Sequence, residues 1–228
     1  MNDPSRSVPQ LPRTLEPEVM DTVAEAVAYD AMDHREVNQR FVDDLLAGGP
    51  VGTRVIDLGT GTARIPILLC QRLSEVRVLA LDAATSMLDL AATLIDVGGV
   101  MDQIQLEHAD AKALAAFDDA MCDCVISNTL LHHLPEPQRV LGEALRLLRP
   151  GGRLFIRDLM RPASNAEVDR LTELHAGNES PEARQLLHQS LHAALTLEEI
   201  RDLLSELGID PATAQATSDR HWTIDARK

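Results

Sequence analysis

The chain reads as an α/β fold with a doubly wound sheet. The sheet is expected to be mostly parallel with an antiparallel C-terminal strand, with helices on both faces, N-terminal helices and a helical cover insertion. Three observations predict this. Short apolar runs alternate with amphipathic helical segments from Arg54 to Ile156, the order that builds parallel strands joined by crossover helices. The first run, Val55-Ile56-Asp57-Leu58, passes directly into Gly59-Thr60-Gly61-Thr62-Ala63. Its alternate glycines let a backbone approach a ligand that any Cβ would block. The alternation then gives way at Pro162 to a long helical stretch before a last helix and two strand-like runs.

Residues 1–17 are polar and proline-rich, which suggests a flexible leader or a strap over the domain; residues 18–228 form a single domain. Within it, residues 18–50 are N-terminal helices, 51–160 the sheet-forming core, 161–195 the cover and 196–228 the C-terminal helix and strands. Val19, Val23 and Val27 place a helix over about Glu18 to Ala28. Val37, Phe41, Val42, Leu45 and Leu46 place another over Arg35 to Ala47, stopped by Gly48-Gly49-Pro50. Arg54 to Leu58 is strand one. The next helix carries Ile65, Leu68, Leu69 and Leu73, with Pro66 tolerated in its first turn. Val76 to Asp82 is strand two, Thr85 to Val97 a helix ended by Gly98-Gly99, and Ile104 to His108 strand three. Cys124 to Ser127 is the heart of strand four, with Cys122 and Cys124 expected on one face. Glu136 to Leu148 is a helix, Arg149-Pro150-Gly151-Gly152 its stop and turn, and Leu154 to Ile156 the core of strand five. Pro162 to Ala194 is helical and carries His175, His188 and His192. Thr196 to Leu207 opens with a capping box of Thr196 and Glu199. Ala212 to Thr217 and Trp222 to Ala226 close the chain as strands, the last of them expected at a sheet edge.

Composition narrows the function. The net charge is −15 with no lysine- or arginine-rich run. Such a field repels phosphate backbones and argues against a nucleic-acid partner. Aromatics are 2% of residues, too few for base-stacking platforms or an aromatic cage. No apolar run approaches the roughly 18 residues of a membrane helix. Three cysteines make no disulfide framework, and no metal site is expected from them. These features suit a cytoplasmic protein without a bulk nucleic-acid substrate; they leave the oligomeric state open.

The spacing of the glycine turn discriminates among cofactors. A dinucleotide fingerprint needs a third glycine three residues after the second. That position is Arg64, and Ala63 comes one residue earlier. The string Asp57-Leu58-Gly59-Thr60-Gly61-Thr62-Ala63 resembles motif I of the class I S-adenosylmethionine-dependent methyltransferases, with Ala63 in the third glycine slot. The resemblance extends over about Arg54 to Leu159. Leu79 to Leu88 is similar to the next motif, Asp110-Ala111 to the aspartate ending strand three, Asp123 to Asn128 to motif IV, and Leu147 to Leu154 to the family's Pro-Gly-Gly turn.

This resemblance implies a Rossmann-like fold and S-adenosylmethionine as cofactor, with S-adenosylhomocysteine as product. It implies a cofactor site of Asp57, Leu58, Gly59, Thr60, Gly61, Asp82, Ala83, Met87, Asp110, Ala111 and Asn128. Asp82 would meet the ribose hydroxyls, Ala83 and Met87 the adenine, and Asp110 the adenine amino group. Tyr29-Asp30-Ala31-Met32 is similar to a segment ahead of the cofactor domain in quinone-biosynthesis methyltransferases, and with it Tyr29, His34, Asn38 and Arg40 become candidates to line the entrance. Asp158, just past strand five, is a further acceptor-side candidate. His132 and His133 follow strand four and are the candidate catalytic residues. Arg157, Arg161 and Arg184 are weaker candidates to meet an anionic acceptor, read foremost as solvated charges. His188 and His192, four apart, are read as cover residues rather than ligands.

The function expected is transfer of a methyl group to a small-molecule acceptor. Two alternatives use the same pocket: a non-catalytic module binding the cofactor or its product as a regulatory ligand, and an enzyme using the cofactor for a non-methyl reaction.

Overall fold

The structure, a computed structural model, describes residues 11–16, 22 and 35–228. The expected helix over Glu18 to Ala28 lies outside the described residues. Among the described residues seven strands form one sheet: β1 (Arg54–Leu58), β2 (Arg77–Asp82), β3 (Ile104–His108), β4 (Cys122–Asn128), β5 (Leu148–Leu159), β6 (Ala214–Ala216) and β7 (His221–Arg227). Their order is β3-β2-β1-β4-β5-β7-β6. β1 to β5 pair in parallel. Among the described residues β7 alone runs against the rest, antiparallel to both β5 and β6. The last strand therefore sits inside the sheet and not at its edge as expected: Trp222 is fully buried and donates its indole N–H to the Leu195 carbonyl at 3.2 Å. The short β6 takes the edge.

Seven helices among the described residues cover the sheet: α1 (Arg35–Ala47), α2 (Arg64–Arg72), α3 (Thr85–Gly98), α4 (Pro137–Leu147), α5 (Asn165–Ala176), α6 (Pro181–Ala193) and α7 (Leu197–Glu206). Strand alternation divides the apolar side chains into two layers. Ile56, Leu58, Val125, Leu154 and Ile156 face α4 and α7. Val55, Ile126 and Phe155 face α1, α2 and α3. Pro66 is the third residue of α2, where its missing N–H costs nothing. The expected capping box at α7 forms in both directions, Glu199 N–H to Thr196 Oγ1 and Thr196 N–H to Glu199 Oε2.

Two local expectations fail for identifiable reasons. Cys122 and Cys124 do not share a face: Cys122 packs into the α4 layer and Cys124 into the α1 layer. The register shifts between them, two residues of β4 from Cys122 to Cys124 standing against five of β5 from Leu148 to Arg153, and such an irregularity switches which face follows. Asp123, at the shift, accepts the backbone N–H of Thr53 and Arg54 at 2.8 and 2.9 Å, which ties the start of β1 to β4. Arg149 to Gly152 is not a free turn but the beginning of β5. The chain's last residue explains it: Gly151 N–H bonds the Lys228 carbonyl and Lys228 N–H bonds the Gly152 carbonyl, both at 2.9 Å.

β5 also carries a buried cation. Arg153 is fully buried, forks onto both oxygens of Asp225 at 2.7 and 2.8 Å, and donates to the Leu45 and Gly49 carbonyls at the end of α1. Gly48 is required beside it, because a Cβ there would collide with the guanidinium and with Asp225. Asp225 is partly exposed and can regain water; the two carbonyls cannot find another donor so easily. Arg153→Leu is therefore expected to lower stability by about 2–4 kcal/mol, seen in thermal unfolding as a fall in Tm of roughly 5–15 °C. Asp225→Asn should cost much less. Equal effects of the two substitutions would show that the salt bridge, and not the carbonyl contacts, carries the stabilisation.

Candidate active site

The sheet order reverses between β1 and β4, and at such a switch point the connections diverge and leave a crevice beyond the carboxyl ends of the strands. The turn after β1 forms its floor. Gly59 and Gly61 have φ of +68° and +55°, a left-handed geometry that glycine adopts without strain. A Cβ on Gly59 would also come within 2.9 Å of Leu130, whereas one on Gly61 would meet nothing within 4 Å. The space beside Gly61 thus belongs to the crevice. Ala63, in the third glycine slot, keeps the glycine-like φ of +58°. Asp82 at the end of β2 holds this loop: its carboxylate accepts Gly61 N–H at 2.7 Å and Ala84 N–H at 2.9 Å.

The crevice encloses about 1040 Å³. Asp57, Gly59, Thr60, Gly61, Asp82, Ala83, Met87, Asp110, Ala111 and Asn128 all line it. Leu58 does not: its side chain is fully buried in the α4 layer, and its carbonyl accepts Ser127 Oγ at 2.7 Å. Alternation requires this, since Asp57 and Leu58 point to opposite faces. Burial pushes the Asp57 carboxyl up to about 7, against a smaller lowering by Thr60, with Asp82 raising it further. Asn128 Oδ1 is buried with no hydrogen-bond partner among the described residues. Beside it Thr129 adopts φ +55°, an uncommon conformation for a β-branched residue and one concentrated at functional sites.

The turn after β4 brings imidazole groups to the crevice, with charged groups behind them. His132 and His133 lie on a single turn of 3-10 helix, Leu131–His133. His132 is buried, and Asp158 lies behind it: Asp158 Oδ1 is 2.6 Å from Nδ1, and Oδ2 accepts the His132 backbone N–H at 3.1 Å. Asp158 is fully buried and does not line the crevice, so it supports His132 and does not itself face an acceptor. On the other side Glu16 Oε1 lies 3.3 Å from His132 Nε2 and 3.0 Å from His133 Nδ1. Burial alone would lower the His132 pKa, but Asp158 and Glu16 outweigh it and raise it to about 9. The same contacts, working against burial, bring Glu16 down to about 2 and keep Asp158 below the usual carboxylate range.

Glu16 is hidden in the sequence because it stands in a segment with no apolar periodicity. Residues 11–16 lie as a strap against α6 and the histidine turn. Arg13 donates to the Ala193, Leu131, His132 and Leu134 carbonyls at 2.6 to 3.3 Å, Thr14 N–H bonds the His192 carbonyl, and Ser190 Oγ donates to Glu16. The cover supplies an apolar wall of Ala176, Ala183, Leu186 and Leu187, with Arg220 and His221 on the β7 side. None of these stands out in the sequence either, since their role depends on how α5 and α6 fold back over the sheet.

The remaining candidates are scattered. Asn38 lines the crevice; Arg40 lines a smaller neighbouring hollow and pairs with Glu36. Tyr29 and His34 lie outside the described residues. Arg157 and Arg161 are not solvated charges: Arg157 is buried against Asp44 and Thr223, and Arg161 against Glu199 and the Ala194 carbonyl. Arg184 pairs with Glu173 on the surface. His188 and His192 stack with centroids 4.7 Å apart and bond Asp169 and Asn165. The one metal-like grouping among the described residues is instead Glu16, His132 and His133.

Comparison with known proteins agrees with this geometry. The methyltransferase-domain family matches residues 56–156. The chain is 29% identical over 202 residues to the 27-O-demethylrifamycin SV methyltransferase of Amycolatopsis mediterranei, covering 85% of this chain and 69% of that protein. It is 25% identical over 206 residues to a ubiquinone/menaquinone biosynthesis C-methyltransferase of Vibrio cholerae, covering 82% and 78%. The crystal structure of a SAM-dependent methyltransferase from Aquifex aeolicus superposes with a TM-score of 0.68 at 17% identity, over 91% of this chain and 99% of that one. With the glycine loop, the switch-point crevice and these relatives in agreement, residues 56–156 form a methyltransferase domain of the S-adenosylmethionine-dependent kind.

Proposed function

We propose that the protein moves the methyl group of S-adenosylmethionine to a hydroxyl oxygen of a small molecule with an apolar body. The observation that carries this reading is the imidazole–carboxylate cluster on the turn after β4, where both imidazoles line the crevice. A methyl transfer needs a proton acceptor only when the attacking atom must lose a proton, and an alcohol or phenol is such an acceptor. The relative from Amycolatopsis mediterranei is named for methylation at oxygen, in keeping with this choice.

The crevice fits the cofactor on its own terms. The unfilled space at Gly61 admits a ligand against the backbone, Asn128 Oδ1 offers an unused acceptor, and Asp57 and Asp82 favour a cation. Asp82, which holds Gly61 and Ala84, would meet the ribose hydroxyls. Ala83 and Met87 border the adenine position, with Asp110 and Ala111 beyond. When bound, the cofactor supplies an electrophilic methyl on a positively charged sulfur. The residues hold the acceptor in line with it and exclude water. At about 1040 Å³ the crevice exceeds the roughly 300–1,000 Å³ of a site for one drug-sized ligand. The apolar cover wall would take the acceptor's body. Among the described residues no helix is long and apolar enough to cross a membrane. All three cysteines are buried and free, which suits a reducing cytoplasm.

Asp82→Ala is expected to weaken S-adenosylmethionine binding at least about tenfold, from loss of charge-assisted hydrogen bonds and a loosened loop. Calorimetric titration checks it, and unchanged affinity would remove Asp82 from the site.

Asp57 gives a pH signature. Because its folded pKa is raised from 3.8 to about 7, its contribution to fold stability is full below 3.8 and fades as pH rises to about 7. A bound cation favours the ionised form, so cofactor binding should release a proton below about pH 7. Affinity should rise with pH through that window and level off above it. Asp57→Asn should flatten the profile, read from heats of binding in buffers of different ionisation enthalpy.

The reaction itself is tested by incubating protein, cofactor and a library of hydroxylated acceptors. S-adenosylhomocysteine together with an O-methyl product supports the proposal. Cofactor bound without turnover across amine and carbon acceptors too would favour a regulatory binding module.

A further inference from the structure

The two histidines are not equivalent, and the difference assigns the proton transfer. His132 has no nitrogen to offer: Nδ1 is 2.6 Å from Asp158, Nε2 is 3.3 Å from Glu16, and the ring is buried. At its raised pKa it is a cation with a carboxylate on each side. His133 is half-buried and, like His132, lines the crevice. Its Nδ1 lies 3.0 Å from Glu16 Oε1, a close contact bent away from a straight hydrogen bond. Its Nε2 has no partner among the described residues. With one imidazole nitrogen beside a carboxylate and the other without a partner, a small turn of the ring would make the arrangement in which a carboxylate fixes the tautomer and steadies the imidazolium that forms.

We propose that His133 Nε2 is the proton acceptor of the methyl transfer. Glu16, brought to the site by the N-terminal strap, is the positioning carboxylate that holds a proton on Nδ1. This rests on the hydroxyl-acceptor reading above. The Asp158–His132 pair acts differently. It presents a fixed positive charge to Glu16 and keeps that carboxylate ionised and in place. Ser190 Oγ, 3.1 and 3.3 Å from the two Glu16 oxygens, and Arg13, clamped on the carbonyls of the histidine turn, complete the mounting. In the transfer the acceptor O–H bond breaks and its proton goes to His133 Nε2. The oxygen forms a bond to the methyl carbon, and the carbon–sulfur bond breaks with its electron pair going to sulfur. The products are the methyl ether, neutral S-adenosylhomocysteine and a His133 imidazolium, which returns its proton to water.

The assignment can be tested before any acceptor is identified. Protein labelled with 15N-histidine and saturated with S-adenosylhomocysteine is compared by NMR as wild type, Glu16→Gln and Glu16→Asp. The expected wild-type result is His133 as the Nδ1–H tautomer with an unprotonated Nε2, beside a doubly protonated His132. In Glu16→Gln the His133 tautomer should become mixed or reversed, and Glu16→Asp should restore it in part. The affinity for S-adenosylhomocysteine should stay within about threefold, because Glu16 does not line the crevice; a loss of binding in wild type would count against the cofactor site and not against Glu16. With any acceptor found by screening, His133→Asn and Glu16→Gln should each lower kcat about 100-fold or more, with KM little changed.

Three results would overturn the assignment. The first is a wild-type His133 protonated on Nε2 near neutral pH. The second is a tautomer that ignores Glu16→Gln. The third is stoichiometric binding of added Zn²⁺ that disappears in Glu16→Gln, which would make the same three side chains metal ligands.

Discussion

Much of this molecule hangs on the two faces of β5. Because side chains alternate along a strand, Arg153, Phe155 and Arg157 share one face and Leu154, Ile156 and Asp158 the other. On the first face two guanidinium groups flank Phe155, at 5.3 and 5.9 Å from its ring centroid, and reach α1 through Leu45, Gly49 and Asp44. On the second face the apolar layer ends in a single carboxylate, placed under the histidine turn. One strand therefore locks α1 to the sheet and positions the acid behind His132. A slip of one residue would exchange the two faces and bury cations in an apolar layer, so the register is strongly fixed.

Two groups of carboxyls serve the crevice differently. At the glycine loop two carboxyls lie close enough to affect one another, and the buried one, Asp57, is held partly protonated near neutrality. Behind the histidine turn Glu16 and Asp158 are kept ionised by the imidazolium between them. The first group lowers the cost of receiving a cation; the second holds its protons in fixed places. A burial that neutralises one carboxylate and a burial that ionises two others differ only in whether a positive partner comes with them.

The core of the fold was legible because its signals are local. Helix stripes, strand ends and glycine stops place α1, β1, β3 and the α7 capping box at or near their observed limits, and the motif residues fall around one crevice. What was hidden is what depends on pairing at a distance. The register shift between β4 and β5 beside Asp123 changes a face without changing composition. The Pro-Gly-Gly segment looks like a turn until Lys228 is beside it, and β7 looks like an edge until β6 covers it. Arg157 and Arg161 read as solvated because their acidic partners are dozens of residues away. Glu16 is the plainest case: a single acid in a polar, proline-rich stretch has no pattern to give it away, and its position follows from the carbonyls that Arg13 finds on α6 and the histidine turn.

The family match at residues 56–156 contains the glycine loop, Asp82 and the histidine pair, but it stops short of Asp158, of the cover and of the strap that bears Glu16. Under the proposed site, changes in the flanks would retune what is methylated while residues 56–156 go on holding the same methyl donor.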